Sequence, residues 1–136
     1  MPFVLDASVA LAWCFRDEQN AYAHRMLRRL DDESAVVPNI WLLEVANGLL
    51  IAERRGRLSR AEAAQVGGVL ADLPITWQET SIEQALGSVL ELGEAHGLSA
   101  YDAAYLELAM RDGLPLATQD KALRAAAEQV GVLSVD

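Results

Sequence analysis

This chain is marked first by what it has little of: one cysteine, two histidines, four prolines and few basic residues in 136 positions. The lone Cys14 leaves no internal disulfide to form, which fits a reducing compartment. Four prolines and nine glycines are too few for a fibrous or low-complexity protein. No window holds 18 apolar residues free of charge, so no helix is expected to cross a membrane. The first residues, Met-Pro-Phe-Val-Leu-Asp, lack a basic segment leading into a long apolar run. No secretory signal is therefore expected, and the cytoplasm is the expected location. Cys14, His24 and His96 show no metal-ligand spacing and no His-Glu-x-x-His occurs, which argues against zinc. Eleven basic residues stand against 20 acidic ones, a net charge of −9. That balance is not the usual footprint of a nucleic-acid binder, but it suits a basic partner or a cation site.

Hydrophobic residues at 52% and charged residues at 23% are a globular balance, and the length is that of one domain. The short apolar run Phe3–Leu5 reads as a buried strand, followed by a helix over about Ser8–Phe15. The spacing predicts an amphipathic helix over Glu18–Leu30, a second strand at Ala35–Val37 and a long helix over Ile40–Glu53. Arg54-Arg55-Gly56 is a helix C-terminal signature, and Ser59 with Glu62 is a capping box opening the next helix to Ala71. A third strand at Ile75–Trp77, helices over Ile82–His96 and Ser99–Arg111, a fourth strand within Gly113–Thr118 and a helix over Lys121–Gln129 follow. Val132–Val135 is a candidate fifth strand. Alternating strands and helices predict an α/β domain: a mostly parallel sheet of four to five short strands flanked by about seven helices. Trp13, Trp41 and Trp77 lie in apolar runs and are expected in the core.

In such a sheet, ligands collect beyond the carboxyl ends of the strands. Asp6 follows the first strand, Glu44 lies early in the helix after the second, and Thr118-Gln119-Asp120 follows the fourth. Asp102 opens the helix leading to that fourth strand. Taken singly, Asp6 and Asp120 read as helix caps and Asp102 as the partner of a Ser99 cap. Glu44 sits in a mostly apolar helix beside Asn47, where a charge needs a partner or a metal. Taken together, the four favour a cation site. Two carboxylates 4 Å apart repel by about 4 kcal/mol at an effective dielectric near 20, and a divalent cation removes that penalty. All-oxygen ligation suits Mg²⁺ or Mn²⁺. Ser8 and Thr118 are placed to hold a water or a neighbouring carboxylate.

Val4-Leu5-Asp6-Ala7-Ser8-Val9, Leu43-Glu44-Val45-Ala46-Asn47, Leu98-Ser99-Ala100-Tyr101-Asp102-Ala103-Ala104-Tyr105 and Leu116-Ala117-Thr118-Gln119-Asp120 resemble the four motifs of the PIN-domain family, in order. Within it they are most similar to the VapC-type toxins of bacterial toxin–antitoxin pairs. The resemblance implies one nuclease domain over residues 1–136: a Mg²⁺- or Mn²⁺-dependent endoribonuclease that cuts cellular RNA and arrests translation. It implies a catalytic quartet of Asp6, Glu44, Asp102 and Asp120, with metal on Asp6, Asp102 and Asp120. It also implies a homodimer and a cognate VapB-type antitoxin whose C-terminal segment reaches the acidic site, often with an arginine. Arg54, Arg55, Arg57 and Arg60, at the tip of the predicted helical hairpin, are the candidate RNA-binding residues. Two other readings remain open. A phosphoacceptor receiver domain wants an acidic pair after the first strand, an acceptor Asp after the third, where Thr76-Trp77-Gln78 stands, and a late Lys. A non-catalytic relative would use the carboxylates only as caps.

Overall fold

The computed structural model describes all 136 residues. Four parallel strands, β1 (Phe3–Leu5), β2 (Ala35–Pro38), β3 (Ile75–Gln78) and β4 (Leu116–Ala117), form one sheet in the order β3-β2-β1-β4. The chain steps outward from β1 through β2 to β3, then returns to place β4 on the other side of β1. Strand order therefore reverses between β1 and β4. All three β1 residues are buried. Successive strand side chains point to opposite faces, so both faces of β1 are covered, which is why this strand reads as an uninterrupted apolar run.

The helices are α1 (Ala7–Cys14), α2 (Ala21–Arg29), α3 (Ile40–Arg54), α4 (Arg60–Ala71), α5 (82–96), α6 (Ala100–Asp112) and α7 (Lys121–Gln129). In α5, Ile82–Gln84 and Leu90–His96 run on through a π-helical stretch at Ala85–Val89. The α3–α4 hairpin forms as expected: Gly56 takes φ +73° after α3, and Ser59 and Glu62 close a reciprocal capping box. In α6 every residue from Ala103 to Ala109 is buried, as expected of a helix covered on more than one side. One of these is Glu107, whose charge is met by a two-pronged bond to Arg111 at 2.9 and 3.2 Å. Arg111 and Asp112 also bond the two ends of the Gln78 amide, which ties the end of β3 to α6.

Several expectations need correction. The second helix begins at Ala21, because Asn20 caps it through the Ala23 N–H, and Arg16–Glu18 is a separate 3₁₀ turn. Local capping overrode the amphipathic pattern there. The expected fifth strand is a single bridge from Leu116 to Ser134. Trp41 is in the core and Trp13 is half-buried with its indole N–H on the Ala23 carbonyl, but Trp77 is 58% exposed. Trp77 lies on β3, an edge strand with only β2 beside it.

One connected core takes residues from β1, β2, β4, α1, α2, α3, α6 and α7. Leu123 is the largest buried side chain of α7 and is wholly enclosed. Leu123→Ala is expected to destabilise the protein by about 2–5 kcal/mol in urea unfolding. Leu133→Ala, at a position 76% exposed, is expected to shift stability by no more than about 0.5 kcal/mol.

Candidate active site

The carboxyl ends of β1 and β4 open onto a cavity of about 340 Å³ lined by Asp6, Ser8, Glu44, Asn47, Asp102 and Asp120, with Ala7, Leu11 and Gly48. The cavity lies at the strand-order reversal, where the helices following neighbouring strands diverge and leave a crevice. Four acids from four parts of the chain thus face one space, and no basic side chain lines it.

Asp6 is only 6% exposed. Its Oδ2 accepts the Thr118 hydroxyl at 2.7 Å and the Ser8 hydroxyl at 2.9 Å. Its Oδ1 accepts the Ser8 N–H at a long 3.4 Å, so Asp6 also caps α1. Thr118, buried beside it, accepts the Asp120 N–H at 3.1 Å. Asp120 in turn caps α7 through the Leu123 N–H at 2.9 Å. The cap reading and the site reading are therefore compatible for Asp6 and Asp120: each caps its helix through Oδ1 and still lines the cavity. Asp102 differs. Ser99 caps α6 through the Asp102 N–H at 3.1 Å, but the Asp102 carboxylate does not return to close a capping box. Glu44 is half-buried and accepts the Tyr105 hydroxyl at 2.6 Å.

Two of the acids hold protons more tightly than usual. Burial raises the Glu44 carboxyl above the ordinary glutamate range, and the charges of Asp6 and Asp102 add to it, against the Tyr105 hydrogen bond. Burial also raises Asp102, with Asp6 and Asp120 contributing. An all-carboxylate, electronegative cavity is chemically matched to a hard divalent cation. As placed, the side chains bring no three acids into one tight ligating cluster. A cation held here would keep some of its ligands as water, as Mg²⁺ commonly does.

The arginine candidates lie apart from the cavity. Arg54 is ten residues beyond Glu44 on α3, about 15 Å along the helix axis. Arg57 already binds Asp17 at 2.9 Å and Glu18 at 3.0 Å and lies over the Phe15 ring at 4.2 Å, while Arg60 meets Glu53 at 3.4 Å. Arg54 and Arg55 are exposed and make no such bonds. Sequence reasoning missed Tyr105, whose only signal was its place three residues after Asp102, on the same helix face. It also missed Gly48, where a Cβ would stand 2.6 Å from a Leu11 methyl. That close approach of α1 and α3 narrows the cavity wall, and a glycine inside an apolar helix was the available sign.

A small parallel α/β domain with four acids at the strand-order reversal defines a class of carboxylate-centred proteins. The model of the PIN domain family matches residues 3–129, and the chain belongs to that family. The Ribonuclease VapC3 of Pyrobaculum aerophilum is 31% identical to it over 123 residues, 90% of this chain and 92% of that protein. Among solved structures, PAE2754 from Pyrobaculum aerophilum is 26% identical and superposes with a TM-score of 0.71 over 99% of this chain and 84% of its own. VapBC2 from Rickettsia felis, bound to a DNA fragment from its promoter, shares the fold at 13% identity, TM-score 0.66, over 100% and 98%. FitAcB from Neisseria gonorrhoeae shares it at 18% identity, TM-score 0.67, over 100% and 97%. The receiver alternative is thereby set aside: Gln78, the last residue of β3, is engaged with Arg111 and Asp112, and no aspartate follows it before α5.

The raised acids make stability depend on pH in a defined direction. A carboxyl with a higher pKa folded than unfolded binds more protons in the native state between those two values. Its contribution is therefore fully present below the unfolded value and is lost as pH rises through the folded one. Without divalent cations, Glu44→Gln and Asp102→Asn are each expected to raise the melting temperature at pH 7 by a few degrees. Below the unfolded carboxyl values, near pH 3, the gain is expected to disappear. Scanning fluorimetry across pH 3–8 reads both.

Proposed function

We propose that this chain, over residues 1–136, is a divalent-metal-dependent endoribonuclease, the toxin of a VapBC-type toxin–antitoxin pair. The observation that carries the reading is the convergence of Asp6, Glu44, Asp102 and Asp120 on one cavity at the strand-order reversal of a PIN domain. The similarity to a named VapC ribonuclease along nine tenths of the chain supports the activity. Asp6, Asp102 and Asp120 would hold Mg²⁺ or Mn²⁺, directly or through water. Bound there, the cation supplies Lewis acidity toward the scissile phosphate and lowers the pKa of water. Glu44 orients the attacking water and takes its proton. A carboxyl whose proton affinity is raised by burial is better matched to that task near neutral pH than an ordinary one. Ser8 and Thr118 support the site by fixing Asp6, so that it cannot swing away from the cavity as its neighbours' charges repel it.

The same charge pattern supports the partners. A cavity with four acids and no base fits an arginine from the C-terminal segment of a VapB-type antitoxin. Leu42, Leu43 and Leu50 on α3, and Ile82, Leu86 and Leu90 at every fourth residue of α5, are exposed. Such unpartnered apolar faces favour a homodimer or antitoxin contact. No helix is long and apolar enough to cross a membrane, and with a single cysteine and cellular RNA as substrate we assign the protein to the cytoplasm. RNA phosphates would meet Arg54 and Arg55 most readily. Arg57 and Arg60 would first have to release their acidic partners.

Asp102→Asn is expected to abolish RNA cleavage and growth arrest while the fold persists, since Ser99 caps α6 through a backbone N–H that the substitution leaves in place. Mg²⁺ or Mn²⁺ at 100 times its Kd is expected to stabilise the wild type by about 2.7 kcal/mol, read as a rise in melting temperature. Asp6→Asn and Asp120→Asn keep a capping side chain and are expected to shrink that response. A mutant that still cuts RNA, or an undiminished metal response in both Asn variants, overturns the reading.

In an Asp102→Asn background, where RNA survives, Arg54→Ala with Arg55→Ala is expected to weaken RNA binding. The plot of log affinity against log salt should flatten by about 0.7–0.9 for each phosphate that is no longer neutralised. An unchanged slope and affinity place the RNA elsewhere on the protein.

A further inference from the structure

Tyr105 is wholly buried, and its hydroxyl lies where three elements meet. α6 carries it, Glu44 reaches it from α3, and the Ala7 N–H approaches it from the start of α1, the residue after Asp6. The two hydrogen bonds have a definite sense. An N–H can only donate, so the Ala7 amide, at a long 3.4 Å, takes a lone pair of the phenol oxygen. The single phenol proton is then left for Glu44, and an ionised carboxylate can only accept. The Tyr105–Glu44 distance of 2.6 Å is in the range of a hydroxyl donating to a carboxylate. Glu44 Oε1 is thereby held, while no protein group bonds Oε2. Without the hydroxyl, the flexible Glu44 side chain would have no anchor other than its own backbone.

We infer that Tyr105 is a positioning residue for Glu44: its hydroxyl, oriented by the Ala7 N–H, fixes one carboxylate oxygen and leaves the other to the cavity. The inference rests on the ribonuclease reading above, in which Glu44 handles the attacking water. Tyr105 itself lies behind Glu44, does not line the cavity and touches no reacting atom. Its effect therefore passes through the two groups its hydroxyl bonds, Glu44 and the Ala7 N–H, and a cycle with a Glu44 variant separates the one from the other.

Tyr105→Phe keeps the ring and removes the hydroxyl. It is expected to lower kcat for a cleavable RNA by about 10- to 100-fold, the scale of a misplaced reacting group, with KM within twofold of wild type. Single-turnover rates with excess enzyme, followed long enough to measure residual cleavage, complete a cycle with Glu44→Gln. The double variant is expected to cleave no more slowly than Glu44→Gln alone, because the amide that the hydroxyl would then hold takes no proton from water. A second measurement needs no change at Tyr105. In the wild type without metal, the Tyr105 hydroxyl proton is expected as a slowly exchanging downfield NMR resonance that Glu44→Ala abolishes. An unchanged kcat in Tyr105→Phe, a loss that adds in full to that of Glu44→Gln, or a hydroxyl resonance indifferent to Glu44→Ala each overturns the inference. Failure of the wild type to cleave any RNA with Mg²⁺ or Mn²⁺ overturns the ribonuclease reading instead, and this role with it.

Discussion

The hydrogen bond from Thr118 to Asp6 joins the ends of the two strands between which the strand order reverses, and the site is arranged around it. Asp6 is nearly shut off from water, and an isolated buried carboxylate is too costly to persist in charged form. Two hydroxyls on one oxygen and an amide on the other make it tolerable. Thr118 also takes the Asp120 N–H, so one side chain sets the positions of two acids. The β1–β4 pairing, only two residue pairs long, is thus extended by side chains beyond the point where backbone pairing stops.

From that anchor the remaining acids differ in how they are held. Asp120 is fixed by its own cap on α7. Glu44 is fixed across a distance of 61 residues in sequence by Tyr105. Asp102 is fixed through its backbone only, which leaves its carboxylate without a hydrogen-bond donor and facing the charges of Asp6 and Asp120. A fold selected for stability alone would not gather four like charges with no base among them. Their mutual repulsion is what gives the cavity its affinity for a cation or for a cationic side chain. The fold absorbs the strain in the layers behind the site, where β1, α6 and α7 supply a continuous apolar core.

Much of this was legible residue by residue. The run Phe3–Leu5 ending in Asp6, the Ser59–Glu62 capping box and the glycine after Arg55 are local signals, and each formed as read. Glu44 stood out because a charge in an apolar helix needs a reason. What misled were features whose meaning depends on neighbours. Glu18–Gln19 continued a helical pattern, but Asn20 captured the Ala23 N–H and moved the start. Trp77 read as core because burial was inferred from its apolar run, and being on the edge strand decided otherwise. The Arg54–Arg60 cluster read as one basic patch, but Arg57 and Arg60 each found an acid, Arg57 some 40 positions away.

By itself, the sequence determined the class of fold, the order of its elements and the four acids that follow its strands or lie early in its helices. These follow from hydrophobic period, caps and strand-terminal residues, all of which act over a few positions. The tertiary structure alone decided which side chains hold those acids: Thr118 on Asp6 across 112 residues, Tyr105 on Glu44 and Gly48 against Leu11. Hydrogen bonds and close packing act over about 3 Å in space and are indifferent to separation along the chain. No local pattern encodes them, and they exist only once the strands have been placed in order.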